Sequence, residues 1–267
     1  MKEYGINQIS DEMRKKRNET DLLHQAIKAA KDAGEIILKV YENDFEVQYK
    51  KDNSPLTIAD QKANQIIEKY LINTNIPILS EEGNHAPFKE RKKWDLVWIV
   101  DPLDGTKEFV KRNGEFTVNI ALVDNGNPVL GVIFVPVSKC LYYASSNGSF
   151  KIYNGKKKKL PLKKFNKVFT VVGSRSHMSK ETEKYFDDLK KEKGPIEIVS
   201  MGSSLKICLV AEGVADVYPR FAPTMEWDTA AGHAIAHYAG KKLVDLETKK
   251  DMTYNRPILK NNWFIVK

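Results

Sequence analysis

The chain has 267 residues, 42% of them hydrophobic and 29% charged, which suits one large domain or two intimately packed ones around a substantial core. No apolar run approaches the roughly 18 residues of a membrane span, and Met1 to Thr20 lacks the apolar centre of a secretory signal, so a cytoplasmic setting is expected. The formal charge of 43 − 35 = +8 raises the question of a polyanionic partner.

Met1 to Asn18 is highly charged and reads as a loose arm or an extra short helix. Thr20-Asp21 then caps a helical stripe through Leu22, Leu23, Ala26, Ile27, Ala30, Ala33, Ile37 and Val40. Asp52-Asn53-Ser54-Pro55 is a turn, and Thr57-Ile58-Ala59-Asp60 has the spacing of a capping box opening a helix through Ala63, Ile66, Ile67 and Tyr70. A short strand, Ile76 to Leu79, runs into Ser80-Glu81-Glu82-Gly83, where paired acids repel unless solvated or shared by a cation.

The strand Leu96 to Val100 empties into Asp101-Pro102-Leu103-Asp104-Gly105-Thr106. Two carboxylates three apart, followed by the start of a helix, can hold divalent cations against a phosphate; an ordinary Asp-Pro turn with an Asp cap is the plainer reading. Phe116 to Val123 and Val129 to Val135 flank Asp124-Asn125-Gly126-Asn127 as a hairpin. Leu141 to Ala144 and Ser149 to Tyr153 continue the meander, which closes at Asn154-Gly155.

Lys156 to Lys159, with Lys163, Lys164 and Lys167 behind, lacks an aromatic platform or a nucleic-acid motif and reads as a solvated loop. No nucleic-acid partner is expected; the positive excess suits a small anionic substrate. Beyond it come a strand (Val168 to Val172), a helix (Lys180 to Lys193), a strand (Ile196 to Val199), a helix (Ser204 to Glu212), a strand (Val214 to Tyr218) and an Ala-rich helix (Trp227 to Tyr238). Leu243-Val244 and Trp263 to Val266 close the sheet. A soft boundary near Lys156 to Lys164 divides an N-terminal α+β half, residues 1–160, from a C-terminal α/β half, residues 161–267. Cys140 and Cys208 lie in unlike apolar contexts and read as buried thiols rather than a disulfide.

Asp60, Glu81, Asp101 with Asp104, and Asp228 place hard oxygen ligands in four separated stretches, without His or Cys, a set that favours Mg²⁺ over Zn²⁺. Glu226 and Asp228 both sit where a loop enters a helix, so capping accounts for one of them. Asp101-Pro102-Leu103-Asp104-Gly105-Thr106-Lys107-Glu108-Phe109, Ser80-Glu81-Glu82 and Trp227-Asp228-Thr229-Ala230-Ala231-Gly232 resemble the three signature stations of the inositol monophosphatase-like superfamily of Mg²⁺-dependent, lithium-sensitive phosphomonoesterases. The resemblance runs from about Leu22 onward. Within it, Gly173-Ser174-Arg175-Ser176-His177, Gly202-Ser203-Ser204-Leu205-Lys206 and Tyr218-Pro219-Arg220-Phe221 are most similar to the bacterial CysQ type of 3'(2'),5'-bisphosphate nucleotidase. Glu108 stands where monophosphatases proper tend to have Asn, and the charged N-terminal arm is a departure.

The resemblance implies an α+β fold, the layered α-β-α-β-α sandwich of the sugar phosphatases. It implies that Glu81, Asp101 and the Leu103 carbonyl hold one Mg²⁺ and that Asp101, Asp104 and Asp228 hold a second. Asp60 and Thr106 orient the attacking water, with room for a third, weaker ion. Gly105 and Thr106 present backbone N–H groups to the phosphate. Ser174 and His177 contact the nucleotide, while Gly202, Lys206 and Arg220 suit its non-reacting 5'-phosphate. The implied reaction is hydrolysis of adenosine 3',5'-bisphosphate to AMP and phosphate, with 3'-phosphoadenylyl sulfate as a second target. It would clear the by-product of sulfotransfer and sulfate reduction, in the cytoplasm or against the inner face of the cell membrane. Inositol phosphates or fructose 1,6-bisphosphate are the alternative substrates. A non-catalytic, polyanion-binding protein is the competing class, and it leaves the separated carboxylates unexplained.

Overall fold

The computed structural model describes residues 4–43, 46–49, 55–163, 168–174 and 179–267. The first half runs α1 (Tyr4–Tyr41), β1 (Val47–Tyr49), β2 (Pro55–Thr57), α2 (Ile58–Leu71), β3 (Ile78–Ser80), α3 (Phe88–Arg91), β4 (Leu96–Asp104) and α4 (Thr106–Val110). It continues through β5 (Thr117–Asp124), β6 (Asn127–Val135), β7 (Cys140–Ser145), β8 (Gly148–Tyr153) and β9 (Lys156–Lys159). Then follow β10 (Phe169–Ser174), α5 (Lys180–Lys193), β11 (Ile196–Met201), α6 (Leu205–Glu212) and β12 (Tyr218–Arg220). The chain ends with α7 (Glu226–Tyr238), β13 (Leu243–Asp245) and β14 (Phe264–Val266).

Strands β3 to β9 form one sheet in sequence order, antiparallel except for β3 beside β4. Successive side chains on a strand face opposite ways, so Val97 and Ile99 enter one core while Trp98 and Val100 enter another. The Trp98 side is covered by α1 and α2, whose small residues Ala26, Ala30 and Ala63 let both helices lie close. The Ile99 side is covered by α6 and α7. There α7 presses hard on β6: a Cβ added at Gly131 would sit 2.3 Å from the Ala231 carbonyl oxygen, so only glycine fits.

Beyond α6 and α7 lies a second strand layer. Strands β12, β14 and β13 are antiparallel neighbours, and β10 and β11 pair in parallel. Backbone bonds from Val172 N to Val217 O (2.9 Å) and from Asp216 N to Thr170 O (2.7 Å) tie β10 to the approach to β12. Helix α5 closes the outer face by burying Phe186 and Leu189 against Val171 and Val217. The five layers are α-β-α-β-α, the sandwich expected.

Three local expectations change. The N-terminal arm and the first helix are one helix, with Thr20 inside it rather than at its cap. Nothing between Tyr4 and Thr20 stops a helix: there is no proline, and Glu, Met, Lys and Arg are strong helix formers. The lysine block is not a loop but the exposed edge strand β9, folded back on β8 by Asn154 and Gly155 at φ of 49° and 71°. Val214 and Ala215 belong to the turn after α6, and β12 starts only at Tyr218. The Asp52-Asn53-Ser54 portion of the expected turn lies outside the described residues. Cys140 and Cys208 are both buried free thiols. Among the described residues, no helix is long and apolar enough to cross a membrane.

Candidate active site

In a regular strand, residues three apart point to opposite faces. Asp101 and Asp104 escape this rule because β4 is bulged between them: Asp101 faces Asn119 and Asp104 faces Thr117, three steps against two. Pro102 sits inside the bulge, where no ladder bond is asked of its nitrogen. The Leu103 N–H donates to Asp101 Oδ1 at 3.0 Å, and Gly105 then turns the chain into α4 with φ +93°. Beside this, parallel β3 delivers Glu81, whose N–H donates to the Val100 carbonyl at 3.0 Å. Asp228 arrives from the first turn of α7, where its Oδ2 accepts the Met225 N–H at 2.7 Å.

Asp101, Asp104 and Asp228 each offer a carboxylate oxygen, all within 4.8 Å of one another. Burial pushes the Asp101 carboxyl well above its ordinary range, and the charges of Glu81, Asp104, Asp228 and Asp60 push the same way. Burial, then Asp104, pushes Asp228 up to about 8. Gathering buried like charges is unfavourable unless a cation balances them. An all-oxygen donor set fits Mg²⁺, so the residues present suit that ion. Glu81 is not one of the three gathered carboxylates; it lines a cavity of about 430 Å³ together with Asp104, Thr106 and Asp228.

Asp60 has two tasks. Its Oδ2 accepts the Thr57 N–H and hydroxyl, both at 2.7 Å, and so caps α2. Its Oδ1 faces the Thr106 hydroxyl at 3.3 Å, which in turn lies 3.4 Å from the Leu103 carbonyl. Asp60 thus caps α2 with one oxygen and turns the other toward Thr106.

A second cavity, about 440 Å³, adjoins the first along Asp104, Gly105 and Asp228 and extends to Gly202, Lys206 and Arg220. Lys206 Nζ donates to the Ser203 carbonyl at 2.6 Å, and burial lowers its pKa to about 8 against the pull of Asp104. Arg220 Nη2 donates to the Pro223 carbonyl at 3.2 Å, whereas its Nε is buried without a hydrogen-bond partner among the described residues. Gly202 donates its N–H to Glu115 Oε2 at 2.8 Å, and a Cβ there would come within 2.9 Å of Glu108 Cγ. Ser174 ends β10 opposite Met201, and His177 lies outside the described residues.

Two polar residues join the site without having been singled out. Asn119 Nδ2 donates to Ser204 Oγ at 2.8 Å and to Asp104 Oδ2 at 3.3 Å; Ser204 N and Oγ both donate to the same Asp104 oxygen at 2.6 Å. An amide inside the apolar run Val118 to Val123 was the available signal for Asn119. Glu226, fully buried, accepts the Asn255 and Arg256 N–H groups at 2.6 and 3.0 Å and binds Arg256 Nε at 3.1 Å, so its work is to hold the loop against α7.

The family model described as the inositol monophosphatase family matches residues 18–265. The 3'(2'),5'-bisphosphate nucleotidase CysQ of Salmonella typhimurium is 47% identical over 232 residues, 85% of this chain and 92% of that one. The same-named protein of Escherichia coli strain K12 is 45% identical over the same shares. Among solved structures, CysQ of Bacteroides thetaiotaomicron superposes with a TM-score of 0.86 at 52% identity, covering 92% of this chain and 97% of that one. A match across nearly the whole chain, motif stations included, leaves one conclusion: the chain belongs to the inositol monophosphatase family.

Proposed function

We propose that the chain is a Mg²⁺-dependent 3'(2'),5'-bisphosphate nucleotidase that hydrolyses the 3'-phosphate of adenosine 3',5'-bisphosphate to AMP and phosphate, with 3'-phosphoadenylyl sulfate as a second substrate. The observation that carries the reading is the pair of adjoining cavities, one lined by carboxylates and the other by Lys206 and Arg220, meeting at Asp104 and Asp228. A substrate with two phosphates needs both. The relatives named for this activity, at 45–47% identity, support the same substrate.

In this reading Asp101, Asp104 and Asp228 hold one Mg²⁺, and Asp101 with Glu81 and the Leu103 carbonyl holds another. Cations held there would neutralise the phosphate oxygens and lower the pKa of a bound water, offsetting the repulsion between a phosphate monoester dianion and an anionic nucleophile. Asp60 Oδ1 accepts a hydrogen bond from the Thr106 hydroxyl, which leaves the Thr106 oxygen lone pairs to accept a hydrogen bond from the attacking water and so orient it. Lys206 and Arg220 Nε hold the 5'-phosphate, with Ser174 and His177 toward the base, and Gly105 and Gly202 keep the backbone close. The enzyme clears a by-product of sulfotransfer. Its two free, buried thiols agree with a reducing, cytoplasmic setting.

Phosphate release from adenosine 3',5'-bisphosphate and from inositol 1-phosphate, each with Mg²⁺, with EDTA and with added Li⁺, tests the reading. Mg²⁺-dependent, Li⁺-inhibited turnover with a clear preference for the nucleotide is expected. Faster turnover of inositol 1-phosphate would overturn the substrate assignment.

A further inference from the structure

Asp104 Oδ2 receives three donors, and none comes from its own strand. Ser204 supplies its N–H and its hydroxyl, each at 2.6 Å, and Asn119 on β5 supplies its amide at 3.3 Å. Ser204 is 3% exposed, at the entry to α6. Its Oγ lies also 2.9 Å from the Asp228 backbone carbonyl and accepts the Asn119 amide at 2.8 Å. One hydroxyl thus stands between two of the three gathered aspartates: the side chain of Asp104 and the first turn of α7 that carries Asp228. The preceding residue, Ser203, holds φ at +44°, a left-handed conformation that serine seldom adopts. That turn aims both Ser204 donors at one oxygen, and such strain persists where the surroundings impose it.

We infer that Ser204 is a positioning residue for the cation site: by occupying Asp104 Oδ2 with its N–H and its hydroxyl, it leaves Asp104 Oδ1 as the oxygen offered to Mg²⁺. This rests on the reading of the carboxylate cluster as that site. A carboxylate with one oxygen saturated by donors cannot swing, so its other oxygen is presented in one direction. Partners of this kind, one step behind the ligands, are worth roughly 10–100-fold in metal affinity or activity. Ser204 borders the cavity of Lys206 and Arg220, but among the described residues its hydroxyl bonds to neither of them, so affinity for the nucleotide should respond far less than affinity for the metal.

The test is Ser204→Ala in the full chain, with Mg²⁺ alone titrated calorimetrically and half-saturating Mg²⁺ measured in phosphate release. The expected result is weakening of Mg²⁺ by about tenfold in both, with kcat at saturating Mg²⁺ falling about threefold or less and KM for the bisphosphate within about twofold. Should Ser204→Ala not fold, Asn119→Ser, which removes the amide orienting the hydroxyl, carries the same expectation. A folded Ser204→Ala that takes up Mg²⁺ like the parent overturns the inference alone. Loss of any Mg²⁺ dependence in the parent overturns the cation reading beneath it. A KM that rises as much as the Mg²⁺ requirement also overturns the inference, because it marks general damage to the pocket.

Discussion

At Asp101, burial and like charge act in the same direction, and the fold retains the group regardless. Asp101→Asn should therefore separate function from stability. Phosphate release should fall about 10³-fold if Asp101 is shared by the two cations as proposed, because such a ligand contributes several kcal/mol to the transition state. In EDTA the variant should melt about 2–4 °C higher, the equivalent of about 1 kcal/mol for a chain of this size, because a buried repulsion is gone. Activity assays and differential scanning calorimetry read the two effects, and a lower melting temperature in EDTA would contradict the account. Lys206 invites a different measurement. Burial lowers its pKa to about 8, so its ammonium is present below that pH and lost above it. KM for adenosine 3',5'-bisphosphate should rise about tenfold between pH 7 and pH 9.5, the loss of one charge-assisted bond. KM for adenosine 3'-monophosphate, which lacks the distal phosphate, should not follow. The separated carboxylates could be read along the chain because each sits in a local motif of strand end or helix start. Asn119 and Ser204 could not, since their partner Asp104 stands 15 and 100 residues away and only the closed fold brings them together.

At the scale of elements, local signals succeeded where the chain punctuates itself and failed where it does not. Helix α5 runs from Lys180 to Lys193 as expected, with Ser179 before it accepting the Thr182 N–H at its side chain and Gly194 after it. Thr20-Asp21 has the composition of a cap, yet a cap forms only if the preceding residues leave the helix, and here they continue it as α1. Four like charges in the lysine block suggest solvent rather than pairing, yet they pair with β8 as a strand. On an edge, those same charges do a strand's protective work: β9 is the outer edge of the large sheet, with all four lysines exposed. Replacing Lys156, Lys157, Lys158 and Lys159 with Thr should leave the fold intact and promote self-association, visible as a concentration-dependent rise in mass by light scattering. A monodisperse variant would deny β9 that role. The packing of α7 on β6 is tested by Gly131→Ala, whose added Cβ meets Ala231 O and Ala234 Cβ. Urea denaturation should show a loss of about 1–3 kcal/mol.

At the scale of the whole molecule, α7 is the element on which stability and chemistry converge, lying between the two sheets with Asp228 at one end and His233 buried in its middle. His233 Nδ1 lies 3.1 Å from the Tyr254 hydroxyl, and burial, aided by the charge of His237, lowers its pKa to about 3. In the unfolded chain a histidine titrates near 6.5. Between those values the unfolded state binds a proton that the native state refuses, so stability is complete above about pH 6.5 and falls as pH decreases toward 3. Each pH unit in that window costs about 1.4 kcal/mol, or about 2 kcal/mol between pH 6.5 and pH 5. Many other groups titrate over the same range, so the informative quantity is a difference. His233→Gln should be less stable than the parent at pH 7.5, having lost a fitted ring, and should close that gap by about 2 kcal/mol at pH 5. Urea denaturation of both proteins at the two pH values gives the comparison. A gap independent of pH would mean that His233 takes up its proton in the native state as readily as in the unfolded chain, and the middle of the sandwich would then have to be wet rather than dry.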